Sequence, residues 1–142
     1  MEVNNKTPNK IDLKQVREVA ENFLYYYHRE DQEVSIAFVG DQIIKKLNQA
    51  YRNTNKPTDV LAFPGEDGFL GELVIDYAQI KRQAPRHSAN TQEELIFILV
   101  HGLLHLLGYK DDTAEKKQVM INLGEDFIKH WKKSHDKDKK TF

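Results

Sequence analysis

The hydrophobic and polar positions of the chain follow two periods, which together predict both helices and strands. Apolar residues that recur every three or four positions predict a helix, because they share one of its faces. Runs of β-branched and aromatic residues that end at Gly, Pro or Asp predict strands. The predicted helices cover residues 12–29, 42–51, 77–83, 91–107 and 112–133, and the predicted strands cover residues 34–39, 59–64 and 69–76.

The helix predicted at residues 91–107 differs from the others because it is apolar on every side. Its sequence LIFILVHGLLHLL leaves no polar face, so the helix is expected to be surrounded by protein. Thr91 and Glu94 have the spacing of a capping box at its start. Gly108 is expected to end it, because glycine readily adopts a left-handed conformation. The two histidines of this segment are therefore expected to lie within the protein.

The two later strands are separated by the turn Gly-Glu-Asp-Gly at residues 65–68, which predicts an antiparallel hairpin. The sequence shows neither an internal repeat nor a domain boundary. A length of 142 residues suits one compact domain. The whole chain, residues 1–142, is therefore predicted to be a single domain.

Composition restricts the chemistry that this chain can carry. It contains no cysteine, which excludes disulfides, thiolate metal sites and a cysteine nucleophile. Any metal must therefore be bound by nitrogen and oxygen ligands. The N-terminal residues lack the apolar run of a signal peptide, and no stretch approaches the length and apolarity of a membrane span. A cytoplasmic protein that does not enter the membrane is therefore expected.

The formal net charge of -1 gives the molecule as a whole no attraction to nucleic acid. Positive charge is nevertheless clustered, both at Lys45, Lys46, Arg52 and Lys56 and at residues 81–87. Such clusters can bind phosphates, or they can be ordinary solvated helix faces. Composition alone favours the second interpretation.

The strongest chemical signal is the segment H-G-L-L-H-L-L-G-Y-K-D, which begins at His101. His101 and His105 are four residues apart and so share one face of a helix. Gly108 is expected to reverse the chain, so that Asp111 returns to the histidines, as the third ligand does in metzincin zinc sites. These three residues are therefore predicted to bind one divalent ion, zinc by ligand type, and to leave a fourth position for water.

Two alternatives remain for this segment. The histidines can be two hydrogen-bonded core residues, although unpaired imidazoles in so apolar a helix would be costly. Asp112 can replace Asp111 as the third ligand. Asp111 is preferred because of its spacing, and because Asp112 precedes Glu115 by three residues and is expected to cap the last helix.

The residue that follows His101 indicates which reaction a metal here could catalyse. Zinc proteases of this kind read H-E-x-x-H, with the glutamate as general base. Here the position is Gly102, which argues against proteolysis but not against hydrolysis of another electrophile.

Arg52 lies in the predicted loop before a strand. An arginine there can hold a phosphate with two parallel bonds, although from this residue alone a surface role is the simpler interpretation.

Three blocks of sequence resemble the YbeY family, the single-domain rRNA maturation endoribonucleases of bacteria. LNQAYRNTNKPTDVLAFP resembles the family's arginine-containing loop and strand, and LGELVID resembles the strand that follows. HGLLHLLGYKDD resembles the signature H-G-x-L-H-L-x-G-Y-D-H. Order and spacing agree over roughly residues 30–130. The sequence departs from the signature in having Asp111 in place of its third histidine and Lys110 in place of its aspartate.

The resemblance implies a zincin-like α+β fold, with a small mixed sheet packed against helices. It implies a metal site at His101 and His105 and a functional arginine at Arg52, which is expected to be catalytic and to bind substrate. Asp111 stands in place of the family's third histidine and is expected to complete the zinc site, because Asp is a competent zinc ligand. Lys56, in the same basic cluster as Arg52, is expected to bind substrate as well. The resemblance also implies cleavage of single-stranded RNA, processing of the 16S rRNA 3′ end and a part in ribosome quality control, with rRNA precursor and the small ribosomal subunit as partners. The alternatives are a metalloprotease on the same scaffold, or a non-catalytic ribosome assembly factor whose metal has His87 or another side chain as fourth ligand.

Overall fold

The computed structural model describes residues 1–52 and 58–140, with side chains described as far as His135. Within these residues the chain forms strands β1 to β4, helices α1 to α5 and one short 3₁₀ helix. The strands are β1 (Glu2–Asn5), β2 (Glu33–Val39), β3 (Val60–Pro64) and β4 (Phe69–Asp76). The helices are α1 (Leu13–Tyr26), α2 (Asp41–Arg52), α3 (Tyr77–Gln83), the 3₁₀ helix (Ala84–His87), α4 (Thr91–Leu106) and α5 (Ala114–Lys140).

The four strands form one mixed sheet in the order β1-β2-β4-β3. β1 and β4 both pair with β2 in parallel, and β3 pairs with β4 as the predicted antiparallel hairpin. The sequence did not predict β1, because its four residues EVNN carry no apolar alternation. The expected α+β fold with a small mixed sheet packed against helices is confirmed.

α4 lies at the centre of the core, as its apolar sequence predicted. It contacts α1, α3 and α5 as well as strands β3 and β4. Leu99, Leu103 and Leu104 are almost wholly buried. None of the described helices combines the length and apolarity that crossing a membrane requires.

The two predicted helix caps of the C-terminal half are each displaced by one residue. The capping box of α4 is formed by Asn90 and Glu93, not by Thr91 and Glu94, and Asn is the stronger N-cap residue. At the start of α5, the hydroxyl of Thr113 accepts from the amide of Lys116, so Asp112 is not the cap. Glu94 is thereby released from capping, and its side chain is buried.

The end of α4 forms the predicted glycine bend. Gly108 has φ +104, and its amide donates to the carbonyl of His105. The amide of Tyr109 donates to the carbonyl of Leu104. These two bonds are those of a Schellman motif, which satisfies the last carbonyls of a helix and turns the chain back. The bend brings the residues after Gly108 toward the histidines of α4.

A buried carboxyl at the end of β4 makes stability depend on pH. Asp76 is wholly buried and caps α3 through the amide of Gln79. Burial, together with the neighbouring carboxylate of Asp41, raises the pKa of Asp76 to about 7. Its Oδ2 has no hydrogen-bond partner in the described structure, and a proton on that oxygen would supply a donor toward Asp41. Asp76 is therefore protonated in the native state below about pH 7.

We expect the free energy of unfolding to fall as pH rises from about 4 to about 7, because the unfolded Asp76 has already lost the proton that the native one keeps. Asp41, whose pKa lies at about 2 beside Arg82, gives a slope of the opposite sign below about pH 5 and none above it, so the slope due to Asp76 is measured between about pH 5 and 7. Asp76→Asn keeps the cap and supplies the donor permanently, so it should be more stable than wild type near pH 7 and lack this slope. Urea unfolding of both proteins across the window measures the difference, and equal slopes would contradict the assignment.

Candidate metal centre

Helix geometry and the glycine bend together build a cluster of three side chains. His101 and His105 lie one turn apart on α4, and the bend returns Asp111 to them. His105 Nε2 lies 3.2 Å from His101 Nε2. Asp111 Oδ2 lies 3.3 Å from His101 Nε2 and 3.4 Å from His105 Nε2. The three donor atoms therefore form a nearly equilateral triangle, which we call the triad.

The triad has the dimensions of a three-ligand metal site. Metal bonds of about 2.0–2.1 Å in a tetrahedral arrangement separate neighbouring ligand atoms by about 3.3 Å. The three measured edges, 3.2 to 3.4 Å, agree with that value. Within the described residues, the triad is a group of His and Asp side chains that could hold one ion. The residues present therefore fit a single divalent metal.

A backbone contact fixes the orientation of His105. Its Nδ1 lies 3.1 Å from the carbonyl oxygen of Tyr109. Because a carbonyl only accepts, Nδ1 carries the proton and donates it, which leaves the lone pair of a neutral imidazole on Nε2. Nε2 is the atom that faces His101 and Asp111. The glycine bend thus places Asp111 and also selects the tautomer of His105 that binds a metal.

The electrostatics of the triad favour the ligand forms of its side chains. Burial, reinforced by the neighbouring His105, lowers the pKa of His101, so its imidazole is neutral near pH 7. Burial opposes ionisation of Asp111, but its interactions with His105 and His101 outweigh burial and lower the pKa of Asp111. A neutral imidazole at His101 and a carboxylate at Asp111 are the forms in which these side chains coordinate a divalent cation.

The neighbours of the triad distinguish two of the alternatives raised by the sequence. Asp112, the other candidate acid, pairs with Lys116 on α5 at 3.3 Å. A Cβ built on Gly102 would lie 3.0 Å from Leu73 and 3.1 Å from Val60. Position 102 therefore faces the sheet rather than the triad, which explains physically why a glutamate is absent there.

The structure describes one of the two predicted substrate-binding residues, Arg52, which is not part of the triad. Arg52 was predicted in a loop, but it is the exposed last residue of α2. The helix runs one residue beyond its predicted end, and the ring of Tyr51 in this last turn packs against Phe63 of β3. Lys56 lies outside the described residues. The chain resumes at Thr58, and Asp59 leads into β3 beside α4.

An open cleft of about 630 Å³ adjoins the triad, and we call it the α4–α5 cleft. His101 and Asp111 belong to its wall. Its other residues come from the start of β3, the end of α3, the 3₁₀ helix, α4 and α5; among them are Asp59, Gln83, His87, Glu94 and Phe97. The triad is therefore at the edge of a cavity large enough to hold part of a ligand.

Four polar residues of the α4–α5 cleft form a network that the sequence did not predict. The amide nitrogen of Gln83 donates to Asp59 at 3.0 Å and to Glu94 at 2.8 Å. His87 Nδ1 lies 2.9 Å from the same oxygen of Glu94. The proposed fourth-ligand role of His87 thus competes with this contact. The sequence signal was Glu94 itself, a carboxylate within an otherwise apolar helix.

Comparison with known proteins gives a consistent result. A sequence model described as Endoribonuclease YbeY matches residues 2–132. The Endoribonuclease YbeY of Persephonella marina is 37% identical over 128 residues, which cover 84% of this chain and 84% of that protein. The Endoribonuclease YbeY of Acholeplasma laidlawii is 34% identical over 131 residues, which cover 90% and 95%.

A solved structure agrees with the sequence comparison. The solution structure of TM1509 from Thermotoga maritima matches with a TM-score of 0.63 and 25% identity, covering 94% of this chain and 92% of that one. The family match therefore extends over the sheet, the central helix and the triad. The resemblance found in the three sequence blocks is confirmed, and the chain belongs to the YbeY endoribonuclease family.

Proposed function

We propose that this protein is a zinc-dependent endoribonuclease that cleaves single-stranded RNA during rRNA maturation. The observation that carries the proposal is a triangle of two imidazole nitrogens and one carboxylate oxygen, with edges of 3.2 to 3.4 Å, in a member of this family. The relatives named above are endoribonucleases. We place this activity in the cytoplasm and assign it to the single domain of residues 1–142. Its substrate would be rRNA precursor, including the 3′ end of the 16S rRNA. Its partner would be the small ribosomal subunit, and it would also act in ribosome quality control.

Zinc is the proposed ion because His and Asp are among its usual ligands at these distances. His101, His105 and Asp111 would hold it, and when bound it supplies Lewis-acid polarisation and an acidified water. The residues of the chain do the rest. The Tyr109 carbonyl keeps the His105 ring oriented. The guanidinium of Arg52 would neutralise charge growing on the phosphoryl oxygens, and Lys56 would hold the RNA backbone.

The proposal is tested by metal analysis and RNA cleavage on the same preparation. We expect about one zinc ion per chain, cleavage of an unstructured RNA, and loss of cleavage after chelation that is restored by zinc. A duplex of the same sequence serves as the control and should be cut much more slowly. Chelator-resistant cleavage, or a zinc-loaded protein that leaves RNA intact, would overturn the proposal.

Arg52→Ala is expected to lower the rate of RNA cleavage about 100-fold or more, because it removes a charged donor that stabilises the transition state. Its zinc content should stay at the wild-type value. Lys45→Ala, two helical turns before Arg52, removes a charge from the same exposed face of α2 and should change the rate only a few-fold. If both variants lose activity equally, net positive charge rather than Arg52 is what matters.

The metalloprotease alternative is disfavoured by a specific observation, since position 102 faces Leu73 and Val60 rather than the triad. Incubating the zinc-loaded protein with an unstructured protein substrate tests it directly. We expect no peptide-bond cleavage under conditions in which RNA is cut. A structural-metal assembly factor would instead bind rRNA and zinc without cutting, which the cleavage assay distinguishes.

A further inference from the structure

We propose that the α4–α5 cleft is a nucleobase subsite, in which one base of the RNA stacks on Phe97 beside the phosphodiester to be cut. The inference rests on the proposed function, because it takes single-stranded RNA as the substrate. It adds to that function a position on the protein where the RNA is recognised, and a residue outside the triad that recognises it.

The position of the cleft is the first support. Its volume of about 630 Å³ lies within the range of small-ligand pockets, roughly 300–1,000 Å³. His101 and Asp111 form part of its wall. A phosphate held at the triad would therefore have its own or a neighbouring base within reach of the cleft.

Phe97 is the second support. It lies one helical turn before His101, lines the cleft and is only half-buried. Its ring is tilted by only 19° from the His101 ring, with the ring centroids 6.3 Å apart. Bases in single-stranded RNA stack on exposed aromatic faces regardless of sequence. The ring of Phe97, nearly parallel to that of His101, is therefore suited to stack a base next to the triad.

Two lysines on the α5 wall of the cleft are the third support. The carboxylates that also line the cleft, Asp59, Glu93, Glu94 and Asp111, come from other elements. Lys117 and Lys132 both line it and are exposed on α5. Fifteen helical residues separate them, which places them about 22 Å apart. Cations at that spacing can contact phosphates several nucleotides apart along an extended strand rather than one compact anion. Between them, Ile98, Ile121 and Ile128 provide apolar walls for a base.

The polar network gives the cleft a fixed shape. Glu94 is 2% exposed and is held by Gln83 and His87. Gln83 also holds Asp59. Because these side chains are tied to one another across β3, α3 and α4, the wall opposite the lysines is preformed. A preformed wall lowers the ordering cost of binding a base.

The experiment measures RNA affinity on metal-free protein, where cleavage cannot interfere. Wild type, Phe97→Leu and Phe97→Trp are titrated with a short unstructured fluorescent RNA, and with versions that carry a single abasic nucleotide at each position in turn. Leucine keeps most of the buried volume but has no aromatic face, whereas tryptophan keeps the face. The thermal midpoint and zinc uptake of each variant are measured in parallel.

We expect Phe97→Leu to weaken RNA binding about tenfold, on the scale of lost base stacking, and Phe97→Trp to bind within about threefold of wild type. One abasic position should weaken wild type by a similar factor and have little further effect on Phe97→Leu, since both changes remove the same contact. Lys117→Ala and Lys132→Ala should each reduce the slope of log affinity against log salt concentration by the amount expected for about one phosphate contact. Lys129→Ala is the control, because Lys129 lies on α5 outside the cleft wall, and it should leave that slope unchanged.

The subsite would be overturned if wild type and Phe97→Leu bound RNA with equal affinity. It would also be overturned if, at every position of the RNA, the affinity lost through an abasic nucleotide simply added to the affinity lost through Phe97→Leu. The abasic series on wild type needs no folded variant, so misfolding of Phe97→Leu leaves the inference testable. Failure of the subsite is separable from failure of the proposed function. Zinc-dependent cleavage with no Phe97 effect removes the subsite alone, and Phe97-dependent binding without cleavage removes the nuclease alone.

Discussion

Replacing His105 with alanine is expected to abolish zinc retention and RNA cleavage together. The triad would keep only His101 and Asp111, and two protein ligands do not hold zinc as three do. We expect the bound zinc to fall from about one ion per chain to background, and cleavage to fall about 1,000-fold or more. The zinc content of dialysed protein and the cleavage rate on unstructured RNA measure both effects.

The stability of the same variant provides a further readout. Wild type should gain thermal stability when zinc is added, because a ligand that binds only the native state stabilises it. His105→Ala should lose that gain while keeping its far-UV spectrum. His130→Ala is the matched control, since His130 is exposed on α5 and is not part of the triad. Undiminished zinc content in His105→Ala would exclude the triad as the metal site.

Asp111 offers a complementary test of ligand identity. Asp111→Ala should lose zinc, whereas Asp111→His should retain it, because histidine is the residue that the family signature carries there and is itself a zinc ligand. Asp112→Ala should leave zinc content unchanged, since Asp112 pairs with Lys116 instead. The reverse ranking of Asp111→Ala and Asp112→Ala would assign the third ligand to Asp112.

Gly102→Glu is expected to be the most destabilising single change near the site. The new Cβ would lie 3.0 Å from Leu73 and 3.1 Å from Val60, and the carboxylate beyond it would enter the contact between α4 and the sheet. Overpacking and an unpaired buried charge together should cost at least about 3 kcal/mol of unfolding free energy. Urea unfolding at constant zinc measures the loss.

Gly102→Ala is the control, because its single methyl group needs only small shifts of Leu73 and Val60. Alanine also gains about 1 kcal/mol of helix propensity over glycine, which offsets part of that crowding. The variant should therefore unfold within about 1 kcal/mol of wild type and keep its zinc. A stable Gly102→Glu protein that hydrolyses peptides would show that position 102 faces the triad, and would revive the metalloprotease alternative.

Several features of the site were accessible from sequence because they depend on short-range geometry. His101 and His105 share a face through helical periodicity alone, and Gly108 supplies the one conformation that turns the chain after α4. The cap of α4 was missed by one residue because two overlapping pairs, Asn90 with Glu93 and Thr91 with Glu94, match the same pattern. Burial of Glu94 in the cleft network decided between them.

The amino-acid sequence by itself determined the spacing of the triad, the buried character of α4, the hairpin of β3 and β4, and the family. Each of these depends on neighbours within a turn or two of backbone, or on a motif whose order is written along the chain. The tertiary structure decided the parallel pairing of β1 and the direction in which Gly102 faces. It also decided that Asp59, Gln83, Glu94 and Phe97 line one cleft. These features arise because packing joins segments that are distant in sequence, and no local periodicity records which distant segments will meet.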